Sequence, residues 1–330
     1  MIFPHPSLFC DIGGTNARFA MAHTPGQRPV ALAFSKTAED DTFLDVARAV
    51  VRSAPEVPRS MLVCAAGPIA GRSIQLTNAD WLIDGPHIAS QLGLAQGLLF
   101  NDFEAMAYAL PSLNPEDVRH IGPVPWTREG LQVVLGPGTG LGVAALAHVG
   151  GRYAALPTEA GHIDAGPVGP DEEALWPYIE RVHGRVTAEC LLSGPGLARL
   201  HAARRAMLSL PAADLTPAQI TQAGLAGAGD ERDALGLFWR IAARIAGDMA
   251  ITFLARGGVT LAGGVLPRLA PLLDDADFRA AFENKAPMDA LAGTIPTRLI
   301  MSTSAVLTGM AAIAAAPERF AIDYVNRLWV

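Results

Sequence analysis

Short apolar runs separated by glycine turns fill the first half of the chain, and longer helical patterns dominate the second. Residues 8–12 form an apolar run with Asp11 near its end, Gly13-Gly14-Thr15-Asn16 a tight turn, and 18–22 a second strand. That pattern predicts a hairpin with a glycine-rich tip. Phe43, Ala47 and Val50 fall at helical spacing, and Asp41 can cap that helix. Buried strands are predicted at 61–66 and 97–100, the second leading into Asn101-Asp102 and a helix over 103–110. The proline-rich stretch 112–128 reads as a crossing between domains. Residues 131–135, Gly136 to Gly140 and 142–149 repeat the first plan of strand, glycine tip with Thr, strand. Glu189 begins a helical run before Ser193-Gly194-Pro195-Gly196. Leu237, Ile241, Ile245, Met249 and Phe253 recur every four residues beside a narrow polar stripe of Arg240, Arg244 and Asp248, as in a mostly buried helix. A strand at 259–262, the turn Gly263-Gly264, a helix from about Pro267, a strand at 297–301 and helices at 305–315 and 320–329 complete the pattern. Strands and helices alternate, so the class is α/β.

Composition narrows the function. A length of 330 residues fits about two domains, and 50% apolar content fills a core and excludes disorder. Charged residues make up 17%, the formal net charge is −7 and no basic run occurs, so no nucleic-acid partner is expected. Cys10, Cys64 and Cys190 are too scattered for a disulfide framework or a zinc site. The first residues show no secretory signal, and no apolar run approaches the roughly 18 residues that span a bilayer. A soluble, cytoplasmic protein without a membrane partner is expected.

The chemistry concentrates in a few places. Glycine loops follow short strands near Gly13, Gly138 and Gly263. Consecutive backbone N–H groups in such loops cradle anions, and glycine lets the backbone approach them. None matches the P-loop or the dinucleotide fingerprint, so both are disfavoured. An ordinary hairpin turn is the bland reading of each, and three together weaken it. Asp11, at a strand end before the first loop, suits Mg²⁺ held through water, although Asp is also a common turn former. Asn101-Asp102 reads as a helix N-cap or as a general base with an orienting amide. Glu159-Ala160-Gly161-His162 lacks the partners of a metal site and suits sugar hydroxyls, which need acceptors and donors. Alone, Glu189 reads as a solvated helix residue.

In order along nearly the whole chain, these motifs resemble the bacterial glucokinase family in its proteobacterial form. The matching stretches are Asp11 to Arg18, Leu76-Thr77-Asn78, Asn101-Asp102-Phe103, Gly136 to Val143, Glu159 to His162, Leu192 to Leu197 and Leu261 to Pro267. The resemblance implies a two-domain actin-like (ribonuclease H-like) ATPase fold with a ligand cleft between domains. It implies a homodimer that uses ATP and Mg²⁺ to convert D-glucose to glucose 6-phosphate. Asp102 would be the base for the sugar 6-hydroxyl, and Asn101, Glu159, His162 and Glu189 would hold the other hydroxyls. Gly13, Gly14, Thr15 and Asn16 would contact phosphates from one side, and Gly138 and Thr139 from the other, with Gly138 also bordering the sugar. Gly263 and Gly264 would border the adenosine, and Asp11 the metal. Related ROK-type kinases usually add a cysteine-rich zinc motif after E-x-G-H, and this chain does not. Close relatives typically have Gly where Ala160 stands, so a methyl is expected beside the sugar pocket. By this resemblance residues 1–112 and 304–330 form the small domain and 113–303 the large one. The alternatives are a kinase for another hexose or an N-acetylhexosamine, a sugar-responsive regulator, for which the ten residues before Asp11 leave no DNA-binding segment, and a polymerising ATPase, against which the polar sugar set argues.

Overall fold

The computed structural model describes residues 3–13, 16–36, 42–67, 69–76, 81–127, 129–227 and 229–329. Compact packing divides the chain into two units. The first holds Met1–Asp117, Leu146–Leu156 and Ser302–Val330; the second holds Val118–Ala145 and Pro157–Met301. The divisions fall near 117 and 301, against the expected 112 and 303, and the segment Leu146–Leu156 joins the first unit.

The strands are β1 (Ser7–Ile12), β2 (Asn16–Ala22), β3 (Val30–Lys36), β4 (Ser60–Ala65), β5 (Ile69–Ala70), β6 (Ser73–Gln75), β7 (Leu82–Asp84) and β8 (Gln96–Asn101), then β9 (Val118–Ile121), β10 (Gln132–Pro137), β11 (Leu141–Val149), β12 (Arg152–Thr158), β13 (Val259–Leu261) and β14 (Thr297–Ile300). In the first unit β3-β2-β1-β4-β8 form one sheet, with β1 antiparallel to β2 and parallel to β4, and β4 parallel to β8. The strands β5-β6-β7 make a small separate sheet. Every residue of β4 is buried, as a strand covered on both faces requires. The helix Phe43–Ser53 covers this core with Phe43, Val46, Ala47 and Val50. Its cap is Thr42, whose side chain accepts from the Asp45 N–H; Asp41, the expected cap, lies outside the described residues.

The order β12-β11-β10-β13-β14-β9 forms the larger sheet. The proline-rich crossing therefore contains a strand, β9, paired antiparallel to β14. The helix Asp230–Thr252 packs its apolar face into the second unit's core. Arg244, expected on its polar stripe, is 8% exposed and ion-paired to Glu172 at 3.2 Å. The helix Ala305–Ala315 has the expected bounds, but the expected helix at 320–329 shrinks to Tyr324–Arg327. The rest of that segment is extended and pinned: Phe320 and Trp329 are buried, and Trp329 exchanges backbone hydrogen bonds with Gly97. A Cβ on Gly85 or Gly97 would collide with the Trp329 indole, so both glycines make room for the ring. Arg327 adds an ion pair to Glu104 at 2.7 Å.

Candidate active site

The expected residues of the first unit meet at the carboxyl ends of neighbouring strands. Register places Asp11 of β1 beside Cys64 of β4, and Ala65 beside Asn101 of β8. Ligands of α/β sheets gather at such strand ends. The Cys64 thiol donates to Asp11 Oδ1 at 3.3 Å, and the Arg18 guanidinium lies 3.6 Å from Oδ2. Burial pushes the Asp11 carboxyl above its ordinary range, while Arg18 and the thiol pull it down. Burial and the Asp11 charge push the Cys64 thiol well up, so it stays a protonated donor at neutral pH. Nothing in the sequence singles out Cys64, because only strand pairing brings it to Asp11.

Asn101 caps the helix Asp102–Ala109 by a capping box: its Oδ1 accepts from the Phe103 and Glu104 N–H groups at 3.0 and 3.2 Å. Its amide donates to the Gly67 carbonyl at 3.3 Å. The helix-cap reading of Asn101 is what these bonds show, and they occupy its side-chain oxygen. Asp102 opens that helix, and its Oδ1 accepts from the Phe103 N–H at 2.9 Å. In the first turn, the Gly13 N–H donates to the Asn16 carbonyl at 2.8 Å. Gly14 and Thr15 lie outside the described residues.

The second unit carries the other set. Between β10 and β11, the Gly138 N–H donates to the Gly140 carbonyl at 2.7 Å and closes the turn. That turn carries Thr139. Backbone contact makes several glycines here obligatory. A Cβ on Gly136 would lie 2.5 Å from the Ala262 carbonyl carbon, and one on Gly263, whose φ is +86°, 2.5 Å from the Pro137 oxygen. These contacts lock the 263–264 turn beside the 138–140 tip. At Gly138 and Gly264, in contrast, a Cβ would meet nothing within 4 Å.

Glu159 follows β12 and stands 3.7 Å from His162, and both side chains are exposed. Gly161 between them is buried, and a Cβ there would collide with the Leu141 carbonyl. Ala160 is half-buried and packs against the second unit's hydrophobic core. Glu189, in the first turn of the helix Ala188–Leu191, accepts the Leu141 N–H on Oε2 at 2.8 Å. It is half-buried rather than solvated. Among the described residues, no cluster of three or more His, Cys, Asp or Glu could hold a metal ion, and no helix is long and apolar enough to cross a membrane.

The glucokinase family model matches residues 8–317. A curated glucokinase of Chelativorans sp. is 39% identical over 331 aligned positions, covering 100% of this chain and 97% of that protein. The crystal structure of a glucokinase from an Antarctic psychrotroph superposes with a TM-score of 0.81 at 30% identity, covering 93% of this chain and 98% of the other. A Balamuthia mandrillaris glucokinase, solved in complex with glucose, has the same fold with a TM-score of 0.78 at 23% identity over 93% of each chain.

Proposed function

This chain belongs to the glucokinase family, and from that premise we propose how its residues phosphorylate glucose at the 6-hydroxyl. It is an ATP-dependent hexose kinase of two-domain actin-like fold. The observation that carries the residue assignment is the placement of two carboxylates at the carboxyl ends of two strands of one sheet. Asp11 is the penultimate residue of β1, and Asp102 directly follows β8, with only β4 between those strands. One serves the metal and the other the proton.

Asp102 accepts the proton of the sugar 6-hydroxyl as that oxygen attacks the γ-phosphorus of ATP and the bond from that phosphorus to the β–γ bridging oxygen breaks, releasing ADP. General-base catalysis of this kind contributes about 10²–10⁴-fold. The remaining amide hydrogen of Asn101 and the side chains of Glu159, His162 and Glu189 hold the other hydroxyls. The backbone at Gly13 to Asn16 and at Gly138-Thr139 contacts the phosphates, and Gly263-Gly264 borders the adenosine. The open space at Gly138 and Gly264 supports this: nothing in the protein requires glycine there, and a closely approaching ligand does. Asp11 offers a hard oxygen at a polar strand end, which suits Mg²⁺, an ion that keeps most of its waters and borrows phosphate ligands. When bound, it neutralises charge on the β- and γ-phosphates. We place the active protein in the cytoplasm as a homodimer, which sedimentation of the purified protein tests.

The sugar set favours glucose over N-acetylglucosamine. Carboxylates accept hydrogen bonds and cannot donate them. A 2-hydroxyl can donate to Glu159 or Glu189, whereas an acetamido carbonyl would face acceptors. At the half-buried Glu189 an unpaired polar group costs up to about 1–3 kcal/mol, so kcat/KM for glucose should exceed that for N-acetylglucosamine at least about tenfold. A coupled assay with Mg-ATP and both sugars measures this. Equal values would replace the glucose reading by that of a hexosamine kinase.

A further inference from the structure

The turn at Gly138–Leu141 is held at both ends by the segment that carries Glu189. At one end the Gly194 N–H donates to the Gly138 carbonyl at 2.8 Å. At the other the Leu141 N–H donates to Glu189 Oε2 at 2.8 Å. The two anchors are themselves joined, because Ser193 Oγ donates to the Glu189 carbonyl at 2.8 Å and accepts the Gly196 N–H at 3.0 Å. Gly140 lies directly under the carboxylate, where a Cβ would collide with Oε2. A longer side chain at 140 would therefore break the Glu189–Leu141 hydrogen bond. The second oxygen, Oε1, accepts no hydrogen bond from the described residues.

We propose that Glu189 is a positioning residue for the nucleotide: it fixes the phosphate-contacting turn through Oε2 and reads the sugar through Oε1, so that one carboxylate links the two substrates. A sugar hydroxyl on Oε1 fixes the plane of the carboxylate. The same plane sets the direction of the Leu141 N–H, and with it the Gly138–Gly140 turn. Sugar and nucleotide then bind with positive coupling, which is reciprocal by linkage. The inference rests on the reading that Gly138-Thr139 contacts phosphate and Glu189 the sugar.

The test is the affinity for the non-hydrolysable nucleotide Mg-AMPPNP by calorimetry, with and without saturating glucose. Melting temperature is followed in parallel. Glu189→Gln keeps an oxygen that can accept from Leu141, so without glucose its nucleotide Kd should stay within about threefold of wild type. Glu189→Ala removes the brace, and its nucleotide Kd should rise about tenfold without any sugar present. Glucose should then no longer tighten nucleotide binding. Should Glu189→Ala fail to fold, Glu189→Asp, a methylene too short for the brace, should give the same tenfold loss. Wild-type nucleotide affinity in both variants would overturn the proposal, since a residue serving only the sugar moves the glucose Kd alone. Gly138→Ala separates the two readings. Its Cβ meets no protein atom, so the fold tolerates it, while phosphate approach is blocked. Unchanged nucleotide affinity in Gly138→Ala would sink the phosphate reading itself. A loss there with none in Glu189→Ala would sink only the link.

Discussion

Replacing Asp102 by Asn should leave the helix that it begins in place. The N-terminus of Asp102–Ala109 is satisfied by Asn101, which takes two backbone N–H groups, and by Glu104, whose Oε2 accepts the Asn101 N–H at 3.4 Å. None of these three bonds uses the side chain of residue 102. The bond from the Phe103 N–H to Asp102 Oδ1 can be kept by an Asn oxygen. What disappears is one negative charge in the first helical turn, worth about 0.3–1 kcal/mol. In a protein of this size that lowers Tm by no more than about 3 °C. Turnover should fall far more, by about 10²–10⁴-fold, or roughly 3–5 kcal/mol of barrier. Coupled ADP release at saturating glucose and Mg-ATP gives kcat, and calorimetry gives a glucose Kd that should stay within about threefold of wild type. A fall in kcat below tenfold would move the base elsewhere. A large fall accompanied by an equal loss of glucose affinity would make Asp102 a binding residue.

Asp11→Asn should raise Tm at pH 7 while abolishing turnover. Burial lifts the Asp11 carboxyl above its ordinary value of 3.8, so the ionised group opposes folding at every pH above the raised value. The gain in Tm should shrink as pH falls toward 3.8, where the unfolded chain also takes up the proton, and a lower Tm at pH 7 would contradict the argument. Glu172→Ala should cost about 3–5 kcal/mol in urea unfolding, because it strands Arg244, whose Nε is buried without a hydrogen-bond partner among the described residues. The double variant Glu172→Ala/Arg244→Met should recover most of that, and a single-variant cost below about 1 kcal/mol would refute the pairing.

Local rules made most elements legible. Apolar spacing alone gives the helix Ala305–Ala315 and the buried face of Asp230–Thr252, and glycine punctuation gives both hairpins. The misses are tertiary. The strand β9 is four residues, Val-Arg-His-Ile, too short and polar to alternate clearly, and it forms only against β14, 176 residues away. Phe320, Tyr324 and Leu328 fit helical spacing, yet with Trp329 paired to Gly97 only Tyr324–Arg327 is helical. Arg244 sits in a charged stripe by sequence, and nothing local reveals that Glu172 waits opposite it. At the site, Asp11, Asn101 and Asp102 are legible as strand-end polar residues. The thiol of Cys64 on Asp11 and the Leu141 N–H on Glu189 are not, because each joins residues about 50 apart through pairing that no local pattern encodes.

The seating of the C-terminal segment has a consequence for synthesis. Arg327 bonds the Leu99 carbonyl 228 residues earlier in the chain, and Trp329 fills the groove that Gly85 and Gly97 leave open. At a translation rate of about 5–20 residues per second, β8 waits roughly 10–45 s for these partners. Until then the groove at Gly85 and Gly97 lacks the indole that fills it in the folded protein. The unit that is translated first is thus finished last, and nascent chains stalled anywhere in the second unit should be held by chaperones at β8.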